Sequence, residues 1–185
     1  MGRIGPAETL AAKRAVFLDR DGVLNRSLVR GGRPYAPTSL DEFELLPGVV
    51  EAVSELRNAG FVLVVVTNQP DLASGRIRLE VTEAIHQKLR SLLPVHDIKM
   101  CRHVDRDECP CRKPKPGMLF EAARDWSIDL ERSLMVGDRW RDVSAGKAAG
   151  CRTIFVDHGY AEELVDAPDF VVTSLSEAVK IILGN

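Results

Sequence analysis

Apolar and polar residues follow two different periods along this chain, and the change between them predicts a series of strands and helices. The apolar runs at 15–18 and 61–66 are continuous and rich in β-branched residues, which is typical of parallel strands buried on both faces. Between them a helical pattern begins after Pro47-Gly48 and ends at Asn58-Ala59-Gly60. Its predicted buried face comprises Val49, Val50, Val53 and Leu56.

The same alternation continues through the second half of the chain. Further strands are predicted at about 97–104, 134–138, 152–156 and 170–172, and further helices at about 79–93, 116–126, 140–149 and 174–183. The predicted buried positions of the second and last helices are Val81, Ile85, Leu89, Leu92, Leu175, Val179 and Ile182. Strands joined by helices in this order predict an α/β fold with a doubly wound, mainly parallel sheet.

Two segments do not follow the alternation. The polar stretch 25–43 contains Gly31, Gly32, Pro34 and Pro37, and we expect a long loop or flap over the strand ends there. Residues 1–14 precede the first strand and are expected to form an N-terminal extension. Because the sequence contains no internal repeat or linker, residues 1–185 are predicted to form a single domain.

The composition narrows the class of protein. Apolar residues make up 45% and charged residues 28% of the chain, which is ordinary for a soluble globular domain. The chain contains no run of 18 apolar residues, and 1–14 lacks an apolar region long enough for a signal peptide, so we expect a cytoplasmic protein without a membrane partner. A formal net charge of -2 argues against bulk binding to nucleic acid.

Polar side chains follow three of the predicted strands, at the point where each strand ends. These groups are Asp19 and Asp21, then Thr67 and Asn68, then Asp138 with Asp142. Carboxylates at positions i and i+2 of an extended segment point the same way, so the first pair suits a nucleophile and its acid/base partner. Open α/β sheets bind ligands at the carboxyl ends of their strands, and we expect the three groups to meet there. The basic loop 112–116 before a helix would add a site for an anion such as phosphate.

A second candidate site lies in the loop 101–111. It contains Cys101, His103, Cys109 and Cys111, a ligand set that matches tetrahedral Zn²⁺. Four protein ligands leave no open position, so the predicted zinc is structural, and it would hold the adjacent Arg112 and Lys113 in place. His86, His96 and Cys151 are expected to be ordinary structural residues.

Four segments resemble, in order, the motifs of the haloacid dehalogenase superfamily. They are Phe17-Leu18-Asp19-Arg20-Asp21-Gly22, Val65-Val66-Thr67-Asn68-Gln69, Cys111-Arg112-Lys113-Pro114 and Val136-Gly137-Asp138-Arg139-Trp140-Arg141-Asp142. Within the superfamily the chain is similar to the subclass III phosphatases that act on heptose bisphosphate or histidinol phosphate. The resemblance implies a Rossmann-like sheet, and the short intervals between the motifs leave little room for a cap domain, so we expect a capless enzyme with a zinc-binding loop.

The resemblance also implies roles for individual residues. Asp19 would attack phosphorus and Asp21 would be the general acid and base, while Thr67 and Lys113 would contact the phosphoryl group. Mg²⁺ would be held by Asp19, the backbone carbonyl of Asp21 and Asp138. Asp142 would orient water or Lys113 rather than bind the metal. The expected substrate-binding residues are Asn68, Gln69, Arg112, Arg139 and Arg30.

The sequence leaves the substrate open between several small phosphorylated molecules. Pro-Lys-Pro-Gly-Met at 114–118 and the Thr-Asn-Gln stretch favour the 7-phosphate of D-glycero-D-manno-heptose 1,7-bisphosphate, whereas the compact zinc loop resembles that of histidinol-phosphate phosphatases. Another phosphomonoesterase, a nucleic-acid 3′-phosphatase and a non-catalytic zinc-stabilised binding module are more distant alternatives. A sugar bisphosphate is preferred because the arginines exceed what one phosphoryl group needs. We expect a monomer.

Overall fold

Six parallel strands form the central sheet of the protein. The computed structural model describes residues 12–184, so most of the expected extension at 1–14 lies outside the described residues. The strands of the sheet are β1 Ala15–Leu18, β4 Val62–Asn68, β5 Asp97–Cys101, β6 Leu134–Gly137, β7 Arg152–Val156 and β8 Phe170–Val172. They lie side by side in the order β5-β4-β1-β6-β7-β8. The helices are α1 Val49–Asn58, α2 Leu79–Leu92, α3 Gly117–Trp126, α4 Trp140–Ala148 and α5 Leu175–Leu183.

Helices cover both faces of the sheet, which confirms the predicted doubly wound α/β fold. Along β1, Val16 and Leu18 pack on the face covered by α1 and α5, while Ala15 and Phe17 pack against α3 on the other. All four of these side chains are fully buried. This burial on both sides is the reason that β1 and β4 have continuous apolar sequences.

The buried faces of two helices differ from the prediction by one position. Val50 is 42% exposed, and Ala52 is buried instead, because the buried stripe of α1 passes through positions 49, 52, 53 and 56. Leu92 is likewise exposed, and the stripe of α2 continues from Leu89 to Leu93. Val81 and Ile182 are only partly buried.

The expected flap contains regular structure. Strands β2 Leu28–Arg30 and β3 Arg33–Tyr35 form an antiparallel hairpin that turns at Gly31 and Gly32. Both glycines have positive φ angles, of 58° and 74°, which a two-residue hairpin turn of this kind requires. The strand predicted at 97–104 ends earlier, at Cys101, where the cysteine-rich loop begins. Within residues 12–184, every helix is too short or too polar to cross a membrane.

Candidate active site

The carboxyl ends of β1, β4 and β6 lie side by side at the centre of the sheet and open into one cleft. Because β1 pairs with both β4 and β6, the three predicted polar groups meet at this edge, as the sequence indicated. The cleft has a volume of about 370 Å³. Its lining includes Asp19, Asp21, Thr67, Asn68, Gln69, Arg112, Lys113, Asp138, Arg139 and Asp142.

The Lys113 ammonium lies between two carboxylates at the base of the cleft. Its Nζ is 2.9 Å from Asp19 Oδ1 and 2.6 Å from Asp142 Oδ1, and all three residues are buried. Burial, together with the charge of Asp142, raises the pKa of Asp19 to about 7, although Lys113 opposes the shift. Burial disfavours the charged form of Lys113, but its two acidic neighbours outweigh that and raise its pKa. Lys113 is therefore a permanent cation beside Asp19.

Asn68 holds the backbone of Lys113 in place. The Lys113 amide donates to Asn68 Oδ1 at 3.1 Å, and Asn68 Nδ2 donates back to the Lys113 carbonyl at 3.0 Å. The Lys113 ammonium also donates to the Val66 carbonyl at 2.7 Å. Asn68, expected to bind substrate, thus links the end of β4 to the basic loop.

Asp21 accepts hydrogen bonds from three neighbouring side chains. Arg20 donates to both of its oxygens, Asn25 Nδ2 donates to Oδ1 at 2.9 Å, and Gln69 Nε2 donates to Oδ2 at 2.8 Å. Burial opposes ionisation of Asp21, but the Arg20 charge and these bonds outweigh it and lower its pKa. Gln69 also donates to Thr67 Oγ1 at 2.9 Å, so it connects the first two strand ends.

Asp138 suits a divalent cation. One of its carboxylate oxygens lies within 4.8 Å of an oxygen of Asp19 and of Asp142, and among residues 12–184 neither of its buried oxygens has a hydrogen-bond partner. Burial and the two neighbouring acids raise its pKa well above the ordinary value. Gly22, with φ of 89°, leaves room for Asp138, because a Cβ there would lie 1.9 Å from Asp138 Oδ2. Carboxylate oxygens are the ligands that Mg²⁺ prefers, so Asp19 and Asp138 fit that ion, while Asp142 is bound to the Lys113 ammonium.

Each arginine along the cleft is held by a carboxylate. Arg139 donates to both oxygens of Glu162, at 2.5 and 2.7 Å. Arg112 and Arg141 share the carboxylate of Asp105, at 2.7 and 3.1 Å, and Arg76 lies 3.3 Å from Asp71. These ion pairs restrict the arginine side chains, and the guanidinium N–H groups that are not bound to a carboxylate remain available to a ligand.

Arg30 is not among the arginines that line the cleft. It is an exposed residue of the hairpin whose guanidinium lies 6.0 Å from the Tyr35 ring, and Tyr35 lines the cleft while Arg30 does not. Arg76 and Arg141, which are not among the site residues predicted from the sequence, do line it. A signal for Arg141 was present, because it follows Asp138 by three positions at the start of a helix.

The Cys/His cluster assembles next to this cleft. The donor atoms of Cys101, His103, Cys109 and Cys111 all lie within 4.8 Å of one another. Neighbouring pairs are 3.1–3.6 Å apart, distances that a single ion bound at about 2.3 Å to sulfur would span. The cluster ends one residue before Arg112, as predicted.

Comparison with known proteins agrees with the motifs. A family model described as HAD-hydrolase-like matches residues 110–178. The D-glycero-beta-D-manno-heptose-1,7-bisphosphate 7-phosphatase of Pasteurella multocida is 35% identical, over 93% of this chain and 98% of its own. The enzyme of the same name from Escherichia coli K12 is 36% identical, over 91% and 93%.

The chain belongs to the haloacid dehalogenase-like hydrolases. These relatives are phosphatases of that family, so the predicted enzyme class, a phosphoric monoester hydrolase, is confirmed.

Solved haloacid dehalogenase structures share the fold. The D,D-heptose 1,7-bisphosphate phosphatase from B. bronchiseptica, complexed with magnesium and phosphate, superposes with a TM-score of 0.81 at 34% identity, over 92% of this chain and 98% of that one. A putative HAD-like phosphatase from Mesorhizobium loti gives 0.73 at 31% identity, over 98% and 90%. Their likeness over nearly the whole chain confirms the fold class predicted from the four motifs.

Proposed function

We propose that this chain is a magnesium-dependent phosphatase that removes the 7-phosphate of D-glycero-D-manno-heptose 1,7-bisphosphate. The observation that carries the chemistry is the pair Asp19 and Asp21, set beside the Lys113 cation in one cleft. The names of the relatives from P. multocida and E. coli support the substrate.

In the first step a carboxylate oxygen of Asp19 attacks phosphorus, and the bond from phosphorus to the sugar oxygen breaks. The negative charge of the bound phosphate opposes the low pKa of Asp21, and in its protonated form Asp21 gives a proton to that leaving oxygen. In the second step water attacks the aspartyl-phosphate on Asp19, Asp21 takes a proton from the water, and inorganic phosphate leaves. Dividing the reaction replaces one very slow displacement by two faster ones.

Positive charge must balance the acids of the cleft. Lys113 supplies one cation within reach of Asp19, and the Thr67 hydroxyl would donate to a phosphoryl oxygen. Asp19, Asp138 and the backbone carbonyl of Asp21 would hold Mg²⁺, which would neutralise the phosphoryl oxygens and favour the ionised form of Asp19. Asp142 would keep Lys113 in position, since it lies 2.6 Å from the ammonium.

The tethered arginines support a substrate with a second anionic group. Arg112, Arg139 and Arg141 line the cleft beyond the Asp19 and Lys113 pair, and each guanidinium has donors besides those bound to its carboxylate. An extended polar molecule with a terminal phosphate could place a second anionic group against these guanidinium donors.

We also propose that the Cys/His cluster holds a structural zinc. Three thiolates and one imidazole are a common closed zinc site, and the ion would fix the loop that carries Arg112 and Lys113. The single domain, the monomeric state and the cytoplasmic location expected from the sequence belong to the same proposal.

A substrate panel tests the function. Phosphate release would be compared for both anomers of heptose 1,7-bisphosphate, histidinol phosphate and simple sugar monophosphates, with and without Mg²⁺. We expect the highest kcat/KM for the heptose bisphosphate and no turnover without the metal.

Asp19→Asn should reduce turnover by at least about 10⁴-fold, because it removes the nucleophile. Asp41→Asn, at an exposed position, is the matched control. Faster turnover of histidinol phosphate would overturn the substrate.

A further inference from the structure

Arg20 lies between the two aspartates in sequence and contacts both of them. Its backbone amide donates to Asp19 Oδ1 at 2.7 Å. Its guanidinium donates from Nε to Asp21 Oδ1 at 3.1 Å and from Nη2 to Asp21 Oδ2 at 2.8 Å. The residue is 1% exposed, so its charged group is held inside the protein next to the cleft rather than in water.

The remaining nitrogen of that guanidinium is fixed by a second element. Arg20 Nη1 donates to Nε2 of His86, on α2, at 3.1 Å. Burial and the charge of Arg20 lower the pKa of His86 to about 4, so the ring is neutral near pH 7 and can accept this bond. All three nitrogens of the guanidinium therefore have partners, and its plane has one orientation.

Arg20 also fixes the turn that carries Asp21. Its carbonyl accepts from the backbone amides of Leu24 at 2.9 Å and Asn25 at 3.0 Å. Asn25 and Gln69 each bond only one oxygen of Asp21, whereas Arg20 bonds both. A two-point contact defines the plane of the carboxylate, which single contacts do not.

We propose that Arg20, supported by His86, is a positioning residue that aims the Asp21 carboxyl group at the leaving-group oxygen. This rests on the proposed role of Asp21 as general acid. A general acid accelerates the reaction only when it lies within hydrogen-bond distance of the atom that it protonates. Tilting the Asp21 plane would therefore slow the expulsion of a poor leaving group while leaving the attack by Asp19 intact.

The choice of leaving group separates this role from a purely structural one. An alkyl phosphate such as a sugar phosphate expels an alkoxide that needs a proton, whereas p-nitrophenyl phosphate expels a stabilised phenolate that does not. The value of kcat/KM reports formation of the aspartyl-phosphate for both. We expect Arg20→Lys, which keeps the charge but loses the two-point contact, to lower kcat/KM about 100-fold for the sugar phosphate and less than about threefold for p-nitrophenyl phosphate.

Two reference variants calibrate the measurement. Asp21→Asn removes the acid itself and should give a still larger difference between the two substrates. Arg14→Lys, the same substitution at an exposed residue outside the cleft, should change neither rate. A wild-type enzyme inactive on both substrates, or an Asp21→Asn variant without selectivity, would reject the proposed function itself.

The outcome for Arg20 then decides the inference. Equal losses on the two substrates for a folded Arg20→Lys would mean that Arg20 is only structural, and would overturn the proposal. If circular dichroism shows that this variant does not fold, the comparison passes to His86→Leu, which leaves the Arg20 charge in place. We expect the ratio of the two kcat/KM values to change about fivefold in His86→Leu, and an unchanged ratio would overturn the proposal.

Discussion

The ammonium nitrogen of Lys113 lies 2.6 Å from Asp142 Oδ1, and both side chains are almost completely buried. The same ammonium is 2.9 Å from Asp19. Asp142 also accepts the backbone amide of Arg139 at 3.0 Å and so closes the first turn of α4. One carboxylate thus connects the end of β6 to the cation beside the proposed nucleophile.

This relationship predicts the effect of Asp142→Asn. An asparagine of the same shape keeps the helix cap but no longer balances Lys113, which would move toward Asp19. We expect kcat to fall by about 10- to 100-fold and the free energy of unfolding to fall by about 2 kcal/mol. Steady-state kinetics and urea unfolding measure the two effects. Asp125→Asn, at an exposed partner of Lys99, should change stability by less than about 1 kcal/mol and leave kcat unchanged. Full activity in Asp142→Asn would contradict the proposed support of Lys113.

A second prediction concerns the glycine after the aspartate pair. Gly22→Ala places a Cβ where Asp138 Oδ2 lies, 1.9 Å away, so the carboxylate must move. We expect kcat/KM to fall about 100-fold and the Mg²⁺ concentration for half-maximal activity to rise about tenfold or more.

Gly60→Ala is a matched control for that substitution. Gly60 has a φ of 83°, close to the 89° of Gly22, but its Cβ would enter open space. Both variants incur backbone strain of about 1–2 kcal/mol, and only Gly22→Ala displaces Asp138. Equal activity in the two would show that the close approach of Gly22 to Asp138 is unimportant.

A third prediction tests the Cys/His cluster. We expect one zinc per chain by elemental analysis of the purified protein, and loss of that metal in Cys111→Ser. The variant should lose about 3 kcal/mol of stability or more, because metal binding contributes directly to folding. Cys151→Ala is the control: burial raises the pKa of Cys151 to about 12, its thiol belongs to the apolar core, and metal content should stay constant. Metal retained in full by Cys111→Ser would reject the four-ligand site.

The sequence predicted the strands and helices whose apolar residues follow a regular pattern along the chain. β1 and β4 were found because continuous apolar runs reflect burial on both faces, and the convergence of Asp19, Thr67 and Asp138 followed from the geometry of a parallel sheet. The hairpin at 28–35 was missed although Gly31-Gly32 is a recognised turn signal, since its strands are only three residues long and include Pro34.

Contacts between distant side chains could not be predicted. Asn68 bonds Lys113 across 45 positions of sequence, and Arg20 bonds His86 across 66. No period or short motif records which way a side chain points once it leaves a strand or helix, so the sequence indicates neither the bonds between Asn68 and Lys113 nor the bond from Arg20 to His86. For the same reason the position of Arg30 in the flap did not reveal that its side chain lies outside the lining of the cleft.

His86, which is partly buried, makes stability depend on pH in a defined window. The pKa of His86 is about 4 in the folded chain and about 6.5 in the unfolded chain, so between these values the unfolded state binds one more proton. The contribution of His86 to the free energy of unfolding is fully present above pH 6.5 and falls as the pH drops toward 4, by about 3 kcal/mol in total.

His86→Gln can still accept the hydrogen bond from Arg20 but does not titrate. We therefore expect the difference in unfolding free energy between the wild-type protein and this variant to change by that amount across the window. Urea unfolding from pH 7 to pH 4 measures it, and the subtraction removes the contribution of the carboxylates common to both proteins. Parallel pH profiles would mean that His86 is protonated in the folded chain and does not accept the hydrogen bond from Arg20.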